Sequence, residues 1–78
     1  MNLSFCRYVY TLPNNLVNLV NLYCDITPIT KLPTEAINLV ELNCNRTLIT
    51  ILPDTLVNLV NLYCSGTLIT EIPNTRSI

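Results

Sequence analysis

The chain contains no histidine, no tryptophan and a single glycine, Gly66. Without histidine it lacks the commonest general base and the commonest metal ligand, and no histidine-containing catalytic triad can be built. One glycine cannot supply a glycine-rich phosphate loop. Charge is scarce: four Lys and Arg stand against five Asp and Glu, for a net charge of −1. No basic stripe exists, which argues against nucleic acid or an anionic membrane as partner. No apolar run reaches the roughly 18 residues of a membrane-spanning helix. The N-terminus has one arginine, Arg7, and no compact apolar run ending in a small-residue cleavage site. Export is therefore unsupported, and the expectation is an intracellular, cytoplasmic protein. Half of the 78 residues are hydrophobic, too many for a disordered tail and enough for one small domain.

What is present is a repeat. Residues 12–31, 32–51 and 52–71 align without gaps; the first and third units agree at 14 of 20 positions, the second and third at 11, the first and second at 10. A further unit begins at Ile72-Pro73 and occupies residues 72–78. Cys6 stands 18 residues before Cys24, whereas Cys24, Cys44 and Cys64 are 20 apart. With Cys6 as the marker of phase, residues 1–11 make a degenerate first coil that is two residues short. The expected organisation is thus one domain over residues 1–78. Within a unit, Leu62-Tyr63-Cys64 alternates in, out and in as a short half-buried strand does, with Asp54-Thr55 before it and Ser65-Gly66-Thr67 after it. A period of 20 leaves little room for a helix, so the outer side is expected to be extended or to carry one 3₁₀ turn.

The stretches Leu19-x-x-Leu22-x-Cys24-x-x-Thr27-x-Ile29, Leu39-x-x-Leu42-x-Cys44-x-x-Thr47-x-Ile49 and Leu59-x-x-Leu62-x-Cys64-x-x-Thr67-x-Ile69 resemble the repeat of leucine-rich repeat proteins. The short period and the Leu-Pro dipeptide are similar to the shortest class of that family. The resemblance implies a right-handed solenoid with one short parallel sheet. This chain departs from the family pattern in two ways: cysteine replaces the third leucine, and threonine replaces the asparagine of the inner turn.

The inward set expected in the first full unit is Leu16, Leu19, Leu22, Cys24, Ile29 and Leu32, repeated at +20 and +40, with Ala36 in place of a leucine and Ile37 turning partly inward to compensate. Three uses of the four cysteines are open: a disulfide framework, a zinc site, or buried thiols. In-register cysteines that point the same way suit disulfide geometry poorly, and a line of them is not a tetrahedron. Each takes a leucine-type position, which favours small buried thiols and no metal or cofactor. Asn18, Asn38 and Asn58 are expected to satisfy backbone groups at the bend. Pro13, Pro33, Pro53 and Pro73 suit an outer edge without ladder bonds. Asn2-Leu3-Ser4 and Asn45-Arg46-Thr47 match the glycosylation pattern by accident of composition.

The strand positions that point away from the core are Asn21, Tyr23 and Asp25, then Glu41, Asn43 and Asn45, then Asn61, Tyr63 and Ser65; the spacing from Cys6 adds Leu3, Phe5 and Arg7. These side chains sit on a rigid sheet and the core does not need them. In the family the resemblance points to, the concave face binds protein. Phe5, Tyr23 and Tyr63 would form an aromatic column broken by Asn43, serving either as binding anchors or as cross-strand ladder pairs. Glu35 and Glu41 are not paired on one face, and no cation is placed to activate a cysteine, so no catalytic residue is assigned. The leading expectation is a non-catalytic protein-interaction module. The alternative is a structural protein that self-assembles end to end through uncapped terminal coils, as a homo-oligomer.

Overall fold

Short alternating segments 20 residues apart can satisfy their backbone groups only by pairing with one another. The computed structural model, which describes residues 1–70, contains three such segments: β1 (Asn21–Tyr23), β2 (Glu41–Asn43) and β3 (Asn61–Tyr63). They form one parallel sheet in the order β1-β2-β3. Asn21 faces Glu41, which faces Asn61, and the two following rungs keep the same offset. There is no helix among the described residues. Ile72, Ile78 and the rest of the partial unit lie outside those residues, whereas Leu62, Cys64 and Ile69 of the last full unit lie within them and are only partly buried.

The pairing runs well beyond the three-residue strands. Before them, Val40 and Val60 donate N–H to the carbonyls of Val20 and Val40, each at 2.8 Å. After them, Cys24 and Ile26 donate to Asn43 and Asn45, and Cys44 and Arg46 donate to Tyr63 and Ser65, at 2.8–2.9 Å. Past the turn, Leu48 and Leu68 donate to Ile29 and Ile49. Pro28 holds the corresponding place one unit earlier and has no N–H to give. On the outer side the chain makes successive i to i+3 turns, such as Leu39 N–H to the Ala36 carbonyl at 3.2 Å, and no continuous 3₁₀ helix.

Inward columns follow from this register. Leu22, Cys24, Ile29, Leu32, Ala36, Leu39, Leu42, Cys44, Ile49, Leu52, Leu56 and Leu59 are buried, and Leu16, Leu19, Leu62, Cys64 and Ile69 pack partly against them. All six columns are buried in the middle unit, which has a neighbour on each side. Ile37 does not turn inward: it is 43% exposed, because Ala36 is itself buried and completes the column. Thr27 and Thr47 are buried beside the cysteines, and their hydroxyls donate to the carbonyls of Cys24 and Cys44 at 2.7 and 2.9 Å. The inner turn is thus closed within each unit.

One residue per unit adopts a left-handed backbone: Phe5, Ile26, Arg46 and Gly66, at φ of 65°, 56°, 57° and 71°. Gly66 takes this conformation freely, whereas each L-residue there costs about 1–2 kcal/mol. Ile26, being β-branched, is the least suited.

The same position reveals the phase of the N-terminal coil. Leu3 N–H donates to Tyr23 and Phe5 N–H to Asp25, as Cys24 and Ile26 donate one unit later, and Asn2 bridges Tyr23. Leu3 therefore stands in the cysteine column, and Cys6 stands in the threonine column. No two residues are missing. Leu12 packs against the core as Leu32 does, so the chain takes nine steps from Leu3 to Leu12 where it takes eight from Cys24 to Leu32. The coil has one residue too many, in the turn after Cys6.

Asn38 and Asn58 connect units on the outer side. Their side-chain N–H groups donate to the carbonyls of Val17 and Ile37 in the preceding unit, at 2.8 and 3.0 Å. Among the described residues Asn18 makes no such bond. Replacing Asn38 or Asn58 by alanine is expected to cost about 0.5–1 kcal/mol each, the net worth of one hydrogen bond. The same change at Asn18 should cost close to nothing. Urea unfolding of the three variants checks this, and equal losses at all three positions would contradict it.

Candidate functional site

Alternation along each strand sends every second side chain away from the core, and the 20-residue register stacks these into columns. Asn21, Glu41 and Asn61 form the first column, and Tyr23, Asn43 and Tyr63 the second. Asp25, Asn45 and Ser65 continue as a third, where the ladder runs on beyond the strands. Nine of the twelve outward residues named from the sequence are brought together on this face.

Leu3, Phe5 and Arg7 are not, and Leu3 stands instead in the inward cysteine column. Phe5 occupies the left-handed turn position, level with Ile26 and Arg46, and is 67% exposed. Arg7 falls in the turn after Cys6, where the extra residue is accommodated, and is exposed. Cys6 misleads as a marker of phase, because it stands level with Thr27 and not with Cys24. The face is completed instead by Asn2, beside Tyr23, and by Ser4, beside Asp25. A signal for this existed. The side-chain oxygen of Asn2 accepts the N–H of Ser4, and that of Asn43 accepts the N–H of Asn45, both at two residues' separation. Asn-x-Ser and Asn-x-Asn are the same local turn written twice.

The second column therefore reads Asn2, Tyr23, Asn43, Tyr63, alternating amide and phenol. The Tyr23 hydroxyl donates to Glu41 Oε1 on the next strand. Losing the phenol proton beside that carboxylate is unfavourable, so Tyr23 titrates above its usual value, the hydrogen bond to Glu41 being the largest cause. In the third column the Ser4 hydroxyl donates to Asp25, and Ser65 N–H donates to Asn45 Oδ1 at 2.6 Å. Glu41 and Asp25 are the charged side chains of the face and no Lys or Arg side chain belongs to its columns, while at its edge the N-terminal ammonium donates to the Asn21 carbonyl at 3.0 Å. The stem of Arg46 lies in the turn column, where a Cβ on Gly66 would meet Arg46 Cγ at 3.2 Å.

Behind the face lie the thiols. All four cysteines are free. Cys24 and Cys44 are buried, whereas Cys6 and Cys64 are half-buried. Burial pushes the thiols of Cys24 and Cys44 up to about 12, which keeps them protonated and unreactive near neutral pH. Away from the face, two shallow grooves of about 280 and 240 Å³ run along the outer edge; they share Thr30, Lys31, Leu32 and Thr34. They open where the Leu-Pro corners of adjacent units lack ladder bonds. No helix among the described residues is long and apolar enough to cross a membrane.

Compared with protein-family models, curated proteins and solved structures, the chain matches none of the three.

The thiols generate a pH prediction. Cys24 and Cys44 titrate near 9 when unfolded and near 12 when folded. The folded state thus holds protons that the unfolded state releases, and the stability this provides is complete below pH 9 and lost as pH rises towards 12. Each thiol contributes a slope of up to about 1.4 kcal/mol per pH unit in that window. Cys44→Ala should give a shallower alkaline loss of stability than the wild type in urea titrations between those limits. Parallel curves would show that the buried thiol is not responsible. In the native wild type, Cys6 and Cys64 should react with a thiol reagent well before Cys24 and Cys44.

Proposed function

We propose that the chain is a leucine-rich repeat solenoid of the short class and that its strand face is a non-catalytic protein-binding surface. The solenoid is supported by three in-phase leucine patterns, by buried columns that repeat with the period of the sequence, and by inter-unit hydrogen bonds on both sides of the strands. The binding role rests on one observation. Nine polar and aromatic side chains are held at strand spacing on three locked rungs, yet none belongs to the buried core. Such an array costs little entropy to present and has no packing duty to perform. Tyr23 and Tyr63 supply the large rigid surfaces on which binding energy concentrates.

A photoreactive residue placed at Asn61, on the face, or at Asn18, exposed and off it, tests the proposal in extracts of the cells that make the protein. Adducts to a defined set of proteins are expected from position 61. They should disappear when Tyr63 and Glu41 are both replaced by alanine. Identical adducts from both positions, or adducts indifferent to the face substitutions, would contradict a binding role for this face.

A further inference from the structure

The bend before each strand exposes apolar side chains that the core does not use. Each unit turns there through one hydrogen bond, from the N–H of Leu19, Leu39 or Leu59 to the carbonyl of Leu16, Ala36 or Leu56. The corner residues of these turns are Val17-Asn18, Ile37-Asn38 and Val57-Asn58. Asparagine suits such a corner, whereas a β-branched apolar side chain gains nothing from it and meets water. Three residues on, Val20, Val40 and Val60 make a second column, stepped from unit to unit by the N–H bonds of Val40 and Val60. Strand propensity accounts for valine in that backbone and does not account for its exposure. Five of the six side chains are 43–59% exposed, and Val40 in the middle is half-buried. Apolar residues exposed singly are ordinary, but two columns repeated over three units make a patch. No Asp, Glu, Lys or Arg occurs in residues 16–20, 36–40 or 56–60.

We propose that this flank is the contact surface for a second copy of the chain, related by a two-fold axis at the middle unit. The patch has no charge with which to select a charged partner. Its ridges repeat with the step of the ladder, and a second copy carries ridges of the same step by construction. A two-fold axis at the middle unit sets Ile37 against Ile37 of the second copy, and Val17 and Val20 against Val57 and Val60. Six side chains near half exposure bury roughly 400–500 Å² per copy, or about 800–1,000 Å² in all, at the small end of specific interfaces. The pair therefore exchanges with monomer, with a dissociation constant on the order of tens of micromolar. Such a contact is closed, unlike end-to-end growth, and it does not depend on the strand face being a binding surface. Glu35 and Glu41 adjoin the middle segment in sequence, so each lies near its own copy across the axis, and salt should strengthen the association.

Sedimentation equilibrium of the whole chain, from about 5 to 500 µM, tests the inference. A monomer–dimer equilibrium is expected, tighter at high salt. Ile37→Glu should weaken it by about ten-fold or more and leave the urea midpoint unchanged, since Ile37 is exposed. Val17→Glu combined with Val57→Glu should weaken it similarly. Val17→Lys combined with Val57→Glu should restore it, because the axis sets one position against the other. These paired chains carry the test by themselves if Ile37→Glu lowers the midpoint. Leu48→Glu, comparably exposed but beyond the strand, should leave the dimer as it is. A chain that stays monomeric throughout, one that grows without limit, or a dimer indifferent to the changes at positions 17, 37 and 57 would overturn the inference. A dimer lost equally with both paired chains would overturn the two-fold arrangement.

Discussion

A parallel ladder does not tolerate rungs that arrive at the wrong step, and in this protein nearly everything else follows from that constraint. Every strand is three residues long and none could persist alone. What holds them is that the next unit presents the same backbone groups 20 residues later, in front of the strand, along it and beyond the turn. The leucines then stack on leucines without individual adjustment. The constraint is strong enough to impose a left-handed backbone on Phe5, Ile26 and Arg46, which would each avoid it in isolation. Stacking offsets that strain, since each turn places the following threonine hydroxyl on the cysteine-column carbonyl or brings the next apolar column inward.

The repeat period and the core columns were legible because they depend on side-chain type at fixed spacing. Leu22, Leu42 and Leu62 announce themselves three times in the same phase, and alternation about them names the outward residues Asn21, Tyr23 and their equivalents. The first coil was not legible, because Cys6 is the same residue type as Cys24 while playing the part of Thr27. A small, weakly polar side chain fits either column, so identity pointed one way and hydrogen bonding the other. The backbone pairing of Leu3 and Phe5 decides for the latter. The left-handed column was equally hidden, since one glycine in four turns is no signal. The role of Asn38 and Asn58 at the bend was anticipated in kind, but their acceptors lie in the preceding unit, across the stack.

The candidate site inherits its geometry from the ladder. Because the rungs are locked, Tyr23, Asn43 and Tyr63 keep their order and spacing whatever binds, and Glu41 keeps its place beside them. The carboxylates of the face are hydrogen-bonded to hydroxyls, and the buried thiols behind it are held protonated by the apolar core. The binding role we propose would draw on this preorganisation, since a surface of amides, phenols and two anions ordered by folding has little further ordering cost to meet.

The central claim is that the 20-residue offset, more than any single contact, specifies the structure. Duplicating residues 32–51 adds a whole unit and preserves every rung, whereas inserting one alanine between Asn43 and Cys44 shifts the alternation and turns Cys44 outward. Urea unfolding of these two chains beside the wild type tests the claim most directly. The account predicts that the long insertion raises the unfolding midpoint and the single residue lowers it sharply. A duplicated unit that destabilises the protein, or a single insertion that leaves the midpoint unchanged, would contradict it.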